Sequence, residues 1–220
     1  MEKMKNIGVI PAAGKGSRAF PQTREMQKVM LRVGSKPILQ RNIELLRDRL
    51  GVKLVYVIIG YLGRQIKEYF ADGSRFGVEI VYIEQKKLNG IGGAAYLTRE
   101  YIDTPFFMVL GDEFYIESNH REMLEWLGRD FNAVCGFRRE QDAKRIMKNY
   151  TGTIGDENKI ILLEEKPKRP KNMLMGCGTY LLQPILYEHI KKTPPSSIRG
   201  EVEITDAINS LARDKGGVYA

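Results

Sequence analysis

Small residues with a cation at each end carry the first chemical signal in this chain. Ile10-Pro11-Ala12-Ala13-Gly14-Lys15-Gly16-Ser17-Arg18 directly follows a short apolar run. With no Cβ at Gly14 or Gly16, and only methyls at Ala12 and Ala13, backbone N–H groups there can close on a phosphate or a base. The Gly-Lys-Ser/Thr ending of a Walker loop is absent. Gly14, Gly16 and Ala19 do match Gly-x-Gly-x-x-Gly/Ala, so a dinucleotide-binding turn has to be weighed. Two features count against it. Pro21 and Thr23 follow too closely for a helix to start beneath a pyrophosphate, and the second strand ends Ile58-Ile59-Gly60 with no acidic residue to hold a ribose.

The elements that would position such a loop alternate along the chain. Apolar runs predict strands at Asn6–Ile10, Lys53–Ile59, Val78–Ile83, Phe106–Leu110 and Ala133–Phe137. Between them, amphipathic spacing predicts helices at Pro37–Leu50, Arg64–Phe70, Gly93–Tyr101 and His120–Leu127. This β-α-β order predicts an α/β protein: a mainly parallel, Rossmann-like open sheet covered by helices, with its ligand at the carboxyl ends of the strands. After about residue 140 the texture changes. Tyr150–Ile154 and Lys159–Glu164 flank Gly155-Asp156-Glu157-Asn158, a hairpin signal. Met173–Leu182 reads as a further strand, and Ile185–Lys191 and Glu203–Asp214 as helices. One domain over 1–220 is the economical division, with a glycine-loop part at 1–140 and a small, antiparallel part at 141–220 that completes a second pocket.

Composition bounds the partners. A chain of 220 residues, 43% hydrophobic, can bury one sizeable core. No stretch approaches the ~20 consecutive apolar residues of a membrane span. The formal charge of +8 suits polyphosphate substrates as well as a solvated surface, and no interleaved basic–aromatic nucleic-acid motif accompanies it. Cys135 and Cys177 both fall in strand-like segments and read as reduced packing residues, which points to the cytoplasm. His120 and His189 lack metal-ligand spacing.

The residues after the glycine loop are more specific. Arg18, Pro21, Thr23, Lys28, Leu31, Val33, Lys36 and Pro37 fall in one register. The segment resembles the Gly-x-Gly-Thr-Arg-x-x-Pro-x-Thr-x-x-x-Pro-Lys-x-x-Leu-Pro-Val-x-x-Lys-Pro signature of sugar-nucleotide pyrophosphorylases, the NTP:sugar-1-phosphate nucleotidyltransferases. Ser17, Gln27 and Arg32 depart from it. Gly90-Ile91-Gly92-Gly93-Ala94, Val109-Leu110-Gly111-Asp112, Glu164-Glu165-Lys166-Pro167, Gly178-Thr179-Tyr180 and Arg199-Gly200-Glu201-Val202-Glu203-Ile204-Thr205-Asp206 are similar to further segments of that family, in its order. The resemblance covers nearly the whole chain and sits nearest glucose-1-phosphate uridylyl- and thymidylyltransferases.

The resemblance implies a GT-A-like nucleotidyltransferase fold. It also implies a reaction in which a sugar-1-phosphate oxygen attacks the α-phosphorus of an NTP and expels pyrophosphate. Such chemistry needs charge neutralisation and alignment more than a general base. It implies Arg18 on the leaving phosphates and Lys28 on the transferring one, with Ala12, Ala13, Gly14 and Gly16 lining the nucleotide. Gln85 would read the edge of a pyrimidine, and Gly90 would let backbone approach the same base. Glu165 and Glu201 would accept sugar hydroxyls, Lys166 would pair with the sugar phosphate, and Gly178 would give room or an N–H. Asp112, at a strand's carboxyl end, would hold Mg²⁺; Glu113 carries no assigned role. Tyr150 is followed by Thr151 rather than directly by Gly152, which departs from the family's Tyr-Gly pair. Lys168, Arg169 and Lys171 read as a solvated rim.

The expected partners are UTP or dTTP and a sugar-1-phosphate, glucose-1-phosphate favoured, with no nucleic acid or membrane and homo-oligomerisation left open. The competing class is a non-catalytic or regulatory nucleotide-sugar-binding protein of the same fold. Retention of Arg18, Lys28, Asp112, Glu165 and Lys166 argues for turnover. In the family a strand after the Ile-Thr-Asp helix ends in Asp-x-Gly-Thr, whose aspartate is a second metal ligand. Here that region reads Gly216-Gly217-Val218-Tyr219-Ala220, so neither strand nor carboxylate is expected, and Asp206 and Asp214 are poor substitutes.

Overall fold

A computed structural model describes residues 6–197 and 200–220, apart from the side chain of Arg18. In chain order the strands are β1 Ile7–Ala12, β2 Arg32–Val33, β3 Lys36–Pro37, β4 Leu54–Ile59, β5 Glu79–Glu84, β6 Phe106–Val109, β7 Ala133–Arg139, β8 Tyr150–Ile154, β9 Ile160–Glu165, β10 Leu174–Leu182 and β11 Val218–Tyr219. The α-helices are α1 Ile38–Leu50, α2 Gly63–Phe70, α3 Gly90–Tyr96, α4 Ala143–Ile146, α5 Leu186–Lys192 and α6 Ile204–Leu211.

Seven strands form the central sheet in the order β11-β7-β10-β6-β1-β4-β5. β4, β5 and β6 join β1 in parallel pairing, whereas β10 is antiparallel to both β6 and β7. The mainly parallel sheet expected from the sequence is present, with its reversed strand inside rather than at an edge. Successive side chains on a strand point to opposite faces, and the buried sets divide accordingly. Tyr56, Ile58, Phe106 and Met108 join one core beneath α3, α5 and α6. Val55, Val57, Ile59, Phe107 and Val109 join the other beneath α1 and α2. With both faces covered, the strands are apolar on both, which is why they read as continuous hydrophobic runs.

α1 buries Ile38, Leu39, Ile43, Leu45, Leu46 and Leu50 at helical spacing and stops at Gly51, whose φ of 66° is the left-handed conformation glycine adopts without Cβ strain. The hairpin expected around Gly155–Asn158 is β8–β9, joined through a 3-10 turn at Asp156–Asn158.

Three expectations need correction. His120–Gly128 is a 3-10 segment rather than an α-helix. His120, Met123 and Trp126 recur every third residue and face inward together, which suits three residues per turn. α3 begins at Gly90, three residues before the expected start, because Gly90 and Gly92 let the helix press on the Val202 backbone: a Cβ would lie 2.7 and 2.8 Å from Val202 O. A returning strand does follow α6, since Val218 and Tyr219 pair in parallel with Ala133 and Val134 of β7.

Candidate active site

The carboxyl ends of β1, β4 and β5 lie level, with Ala12 beside Ile59 and Ile59 beside Glu84. β1 is where the sheet order reverses between β4 and β6, the switch point at which open α/β sheets leave a crevice. The glycine loop leaves β1 there and is tied to its neighbours by hydrogen bonds. Tyr61 N donates to Ala13 O at 3.1 Å, and Gly111 N donates to Pro11 O at 3.1 Å. Thr23 Oγ1 donates to Gly16 O at 2.7 Å. Gln27 Nε2 donates to Ala12 O at 2.7 Å and to Gly14 O at 3.2 Å. Gly16 takes a φ of 63°, and a Cβ on Gly14 would meet nothing within 4 Å, so the loop is anchored from below and open above. No helix starts beneath it: a 3-10 turn at Ser17–Ala19 follows, and the first α-helix waits until Ile38, as Pro21 predicted. Arg18 belongs to that turn, and its side chain lies outside the described residues.

Lys28 opens a second 3-10 turn, Lys28–Met30. Its Nζ forms an ion pair with Oδ2 of Asp112, which follows β6. The turn carrying Asp112 is held by a fully buried amide from α1: Asn42 Nδ2 donates to Leu110 O at 3.2 Å and to Glu113 O at 2.8 Å. Glu113, left without a role by the sequence, accepts hydrogen bonds at Oε2 from Gly178 N at 3.0 Å and from the Tyr115 hydroxyl at 2.9 Å. Burial pushes its carboxyl above the usual range against the pull of those two donors, and burial likewise raises the Tyr115 phenol. Gly178 therefore spends its N–H on Glu113 rather than offering it to a sugar. Its missing Cβ makes room for Leu110, whose Cγ would lie 2.5 Å away.

Gln85, just after β5, is buried and donates through Nε2 to Asn89 Oδ1 at 2.9 Å and to Gly90 O at 3.2 Å. Both amide hydrogens are thus committed within the protein, leaving the carbonyl as its available edge. Gly90 serves the chain as well: a Cβ would stand 2.9 Å from Glu201 Cβ, so its absence admits the segment that carries Glu201. Val202 N to Asn89 O at 2.8 Å and Gly92 N to Val202 O at 3.0 Å lock that segment in place.

Glu165 ends β9, and Lys166 follows with a φ of 46°. A non-glycine residue in that region is strained, and such strain gathers at functional sites. Lys166 N donates to Asn149 O at 2.7 Å. Tyr150 sits behind this corner, its hydroxyl donating to Cys177 O at 2.9 Å. Gly152 faces away, toward Phe137, where a Cβ would lie 2.8 Å from the ring. Lys168, Arg169 and Lys171 are exposed and do not line the cleft. Cys135 and Cys177 are buried free thiols, the latter pushed up to about 11 by burial.

These pieces enclose one cleft of about 790 Å³. Every site residue named from the sequence whose side chain is described lines it: Ala12, Ala13, Gly14, Gly16, Lys28, Gln85, Gly90, Asp112, Glu165, Lys166, Gly178 and Glu201. Sequence reasoning missed Gln27, Glu113, Lys148 and Tyr150 as lining residues. Gln27 could have been suspected, since a polar residue stands there in place of the family's proline, directly before the retained Lys28.

Among the described residues, no three His, Cys, Asp or Glu side chains gather as a self-sufficient metal site. Asp206 is exposed, and Asp214 bonds His189 at 2.8 Å; neither lines the cleft. Asp112, with its side chain 39% exposed toward the cleft, is the carboxylate placed to share a hard cation with bound phosphates. No described helix is long and apolar enough to cross a membrane.

Comparison with known proteins agrees with this geometry. The nucleotidyl transferase family matches residues 7–220. The low-salt glycan biosynthesis nucleotidyltransferase Agl11 of Haloferax volcanii is 34% identical, over 94% of this chain and 57% of that protein. The UTP–glucose-1-phosphate uridylyltransferase AglF of the same organism is 32% identical, over 93% of this chain and 83% of its own length. A putative glucose-1-phosphate thymidylyltransferase from Bacillus anthracis, solved with a sucrose, superposes with a TM-score of 0.85 at 29% identity, covering 97% of this chain and 85% of that one. The chain spans about half the length of several of the relatives it matches. A match that runs from the first strand to the last residue places the chain in the nucleotidyl transferase family.

Proposed function

We propose that this chain transfers a nucleotidyl group from UTP or dTTP to a sugar-1-phosphate, with glucose-1-phosphate favoured, releasing pyrophosphate and an NDP-sugar. The observation that carries the proposal is a single cleft lined both by the open glycine loop, Lys28 and Asp112 and by Glu165, Lys166 and Glu201. Two anionic substrates need such an arrangement, because the attacking phosphate must be drawn to a triphosphate that repels it. Lys166 holds the sugar phosphate, and the carboxylates of Glu165 and Glu201 accept sugar hydroxyls. Lys28 neutralises charge on the transferring phosphoryl group, and Arg18 holds the departing pyrophosphate. Asp112 would hold Mg²⁺, which supplies Lewis-acid neutralisation of the triphosphate when bound.

Gln85 favours a base whose ring nitrogen carries a proton, and the resemblance favours uracil or thymine among these. With its amide hydrogens on Asn89 and Gly90, its carbonyl oxygen accepts the imide N–H of uracil or thymine. Adenine and cytosine present an acceptor at the corresponding ring nitrogen, which would leave that carbonyl facing a lone pair. The uridylyl transfer named for AglF and the thymidylyl transfer named for the Bacillus anthracis protein agree with this choice. A cytoplasmic location is part of this proposal, supported by two buried cysteines that are not joined to each other.

The deciding experiment is pyrophosphate release across a panel of NTPs and sugar-1-phosphates with Mg²⁺. Release that needs all three components, fastest with UTP or dTTP, is expected. Preference for GTP would sink the base assignment. Nucleotide binding without release from any pair would leave a binding protein in place of an enzyme.

A further inference from the structure

We infer that Gln27 is the positioning residue that sets Lys28 against the glycine loop, an inference that rests on the nucleotidyl-transfer reading of the cleft. Gln27 is 1% exposed and makes five hydrogen bonds, one of them from Met30 N to its backbone carbonyl at 2.8 Å. Its Nε2 donates to the carbonyls of Ala12 and Gly14, at 2.7 and 3.2 Å. Its Oε1 accepts from Val29 N at 2.6 Å, capping the 3-10 turn that begins with Lys28. Its own N–H donates to Gln65 Oε1 on α2 at 2.8 Å, and Gln65 Nε2 donates in turn to Glu25 O at 2.6 Å. One amide therefore spans the gap between the loop that receives the triphosphate and the turn that presents the lysine.

The chemistry of the position is restrictive. An apolar side chain would strand the buried Ala12 carbonyl, the Gly14 carbonyl and the Val29 N–H, and a carboxylate would set a negative oxygen against those carbonyls. A primary amide, with two donors on one side and an acceptor on the other, satisfies all three. Lys28 acts as a point charge on a flexible stem, so its effect on a phosphate depends on where its backbone is fixed. Gln27 touches no reacting atom. It fixes the distance between two groups that do.

Two variants test this in the full chain, Gln27→Met, which keeps volume and removes the side-chain hydrogen bonds, and Gln65→Ala, which removes only the outer support. Asn209→Ala serves as a stability control, because Asn209 bonds Leu163 N and O at 2.7 Å each, away from the cleft. Steady-state pyrophosphate release is measured with both substrates varied, alongside melting curves and calorimetric binding of UTP alone. For Gln27→Met, KM for the NTP is expected to rise about tenfold and kcat to fall about tenfold, while KM for the sugar-1-phosphate stays within about twofold. Gln65→Ala should move the same constants about threefold in the same direction, and Asn209→Ala should lower the melting temperature without moving either KM. Gln27→Met with a wild-type NTP KM, or with both KM values rising together, overturns the inference. If Gln27→Met does not fold, Gln65→Ala decides by the same criterion. Absence of pyrophosphate release from the wild type overturns the reading of the cleft instead, and the UTP affinities of wild type and variants then judge Gln27 on their own.

Discussion

Lys28 and Asp112 stand 84 positions apart in the chain and form an ion pair on the floor of the cleft. Each is the counter-charge of the other, and both are about one-third exposed, so the pair itself contributes only ~0–1 kcal/mol to stability. The two charges are thus held where substrate charge must arrive. Asp112→Asn keeps the shape and removes the charge. We expect turnover to fall on the order of 10²-fold or more, with a melting temperature near that of the wild type. A pyrophosphate-release assay across a Mg²⁺ titration checks this, and near-wild-type rates at saturating Mg²⁺ would reduce Asp112 to a turn residue.

Lys166 combines a charge with a left-handed backbone, which costs a non-glycine residue about 1–2 kcal/mol. Lys166→Gly removes the charge and the strain, whereas Lys166→Ala removes only the charge. Both should raise the KM for sugar-1-phosphate by roughly tenfold or more, since both lose the same ammonium. Lys166→Gly should melt at or above Lys166→Ala. The reverse order would show that the φ of 46° is not strained in this setting.

The clamp between Glu113 and Gly178 makes a stability prediction. Glu113→Ala leaves the Gly178 N–H and the Tyr115 hydroxyl without their acceptor and should cost ~2–4 kcal/mol. Glu113→Gln keeps an acceptor oxygen and should cost less than half of that. Denaturant midpoints of the two variants measure the difference, and equal midpoints would mean the clamp does not hold β6 to β10.

His120 sets a pH dependence. Burial, with Arg49 nearby, pushes its imidazole down to about 4, and its Nε2 is buried without a partner. As pH falls below the ordinary 6.5, the unfolded chain takes up the proton first. The stability this residue contributes is therefore complete above 6.5 and is lost as pH falls toward 4, by up to ~3 kcal/mol. His120→Phe fills the same site beside Tyr115 without a titrating group. Its melting temperature should fall less than that of the wild type between about pH 7 and about pH 4.5. Parallel pH profiles would contradict the assignment.

Much of the fold was legible because it depends on spacing along the chain. The apolar runs at Lys53–Ile59 and Phe106–Leu110 are strands because both of their faces are covered, and the glycine loop and Asp112 share a cleft because both follow carboxyl ends of that sheet. Relationships across the chain were not legible. Gly90 and Gly178 looked like concessions to a ligand, yet their missing Cβ atoms make room for Glu201, Val202 and Leu110. Gln27 looked like a mismatch and is the most fully bonded amide of the cleft. Nothing local distinguishes a glycine that admits a base from one that admits a neighbouring strand.

β7 pairs only with β10 and β11, both of which come later in the chain, and β10 also completes β6. During synthesis, β7 leaves the ribosome with neither neighbour, and one edge of β6 waits for residues 174–182. The four-strand block β5-β4-β1-β6 can close early, while the clasp of Glu113 on Gly178 comes only with β10. Long-range pairings of this kind form late and together. The cleft should therefore have no stable half-built form: amide protection in β7, in β10 and around Glu113 should appear in one step during refolding and vanish in one step on unfolding.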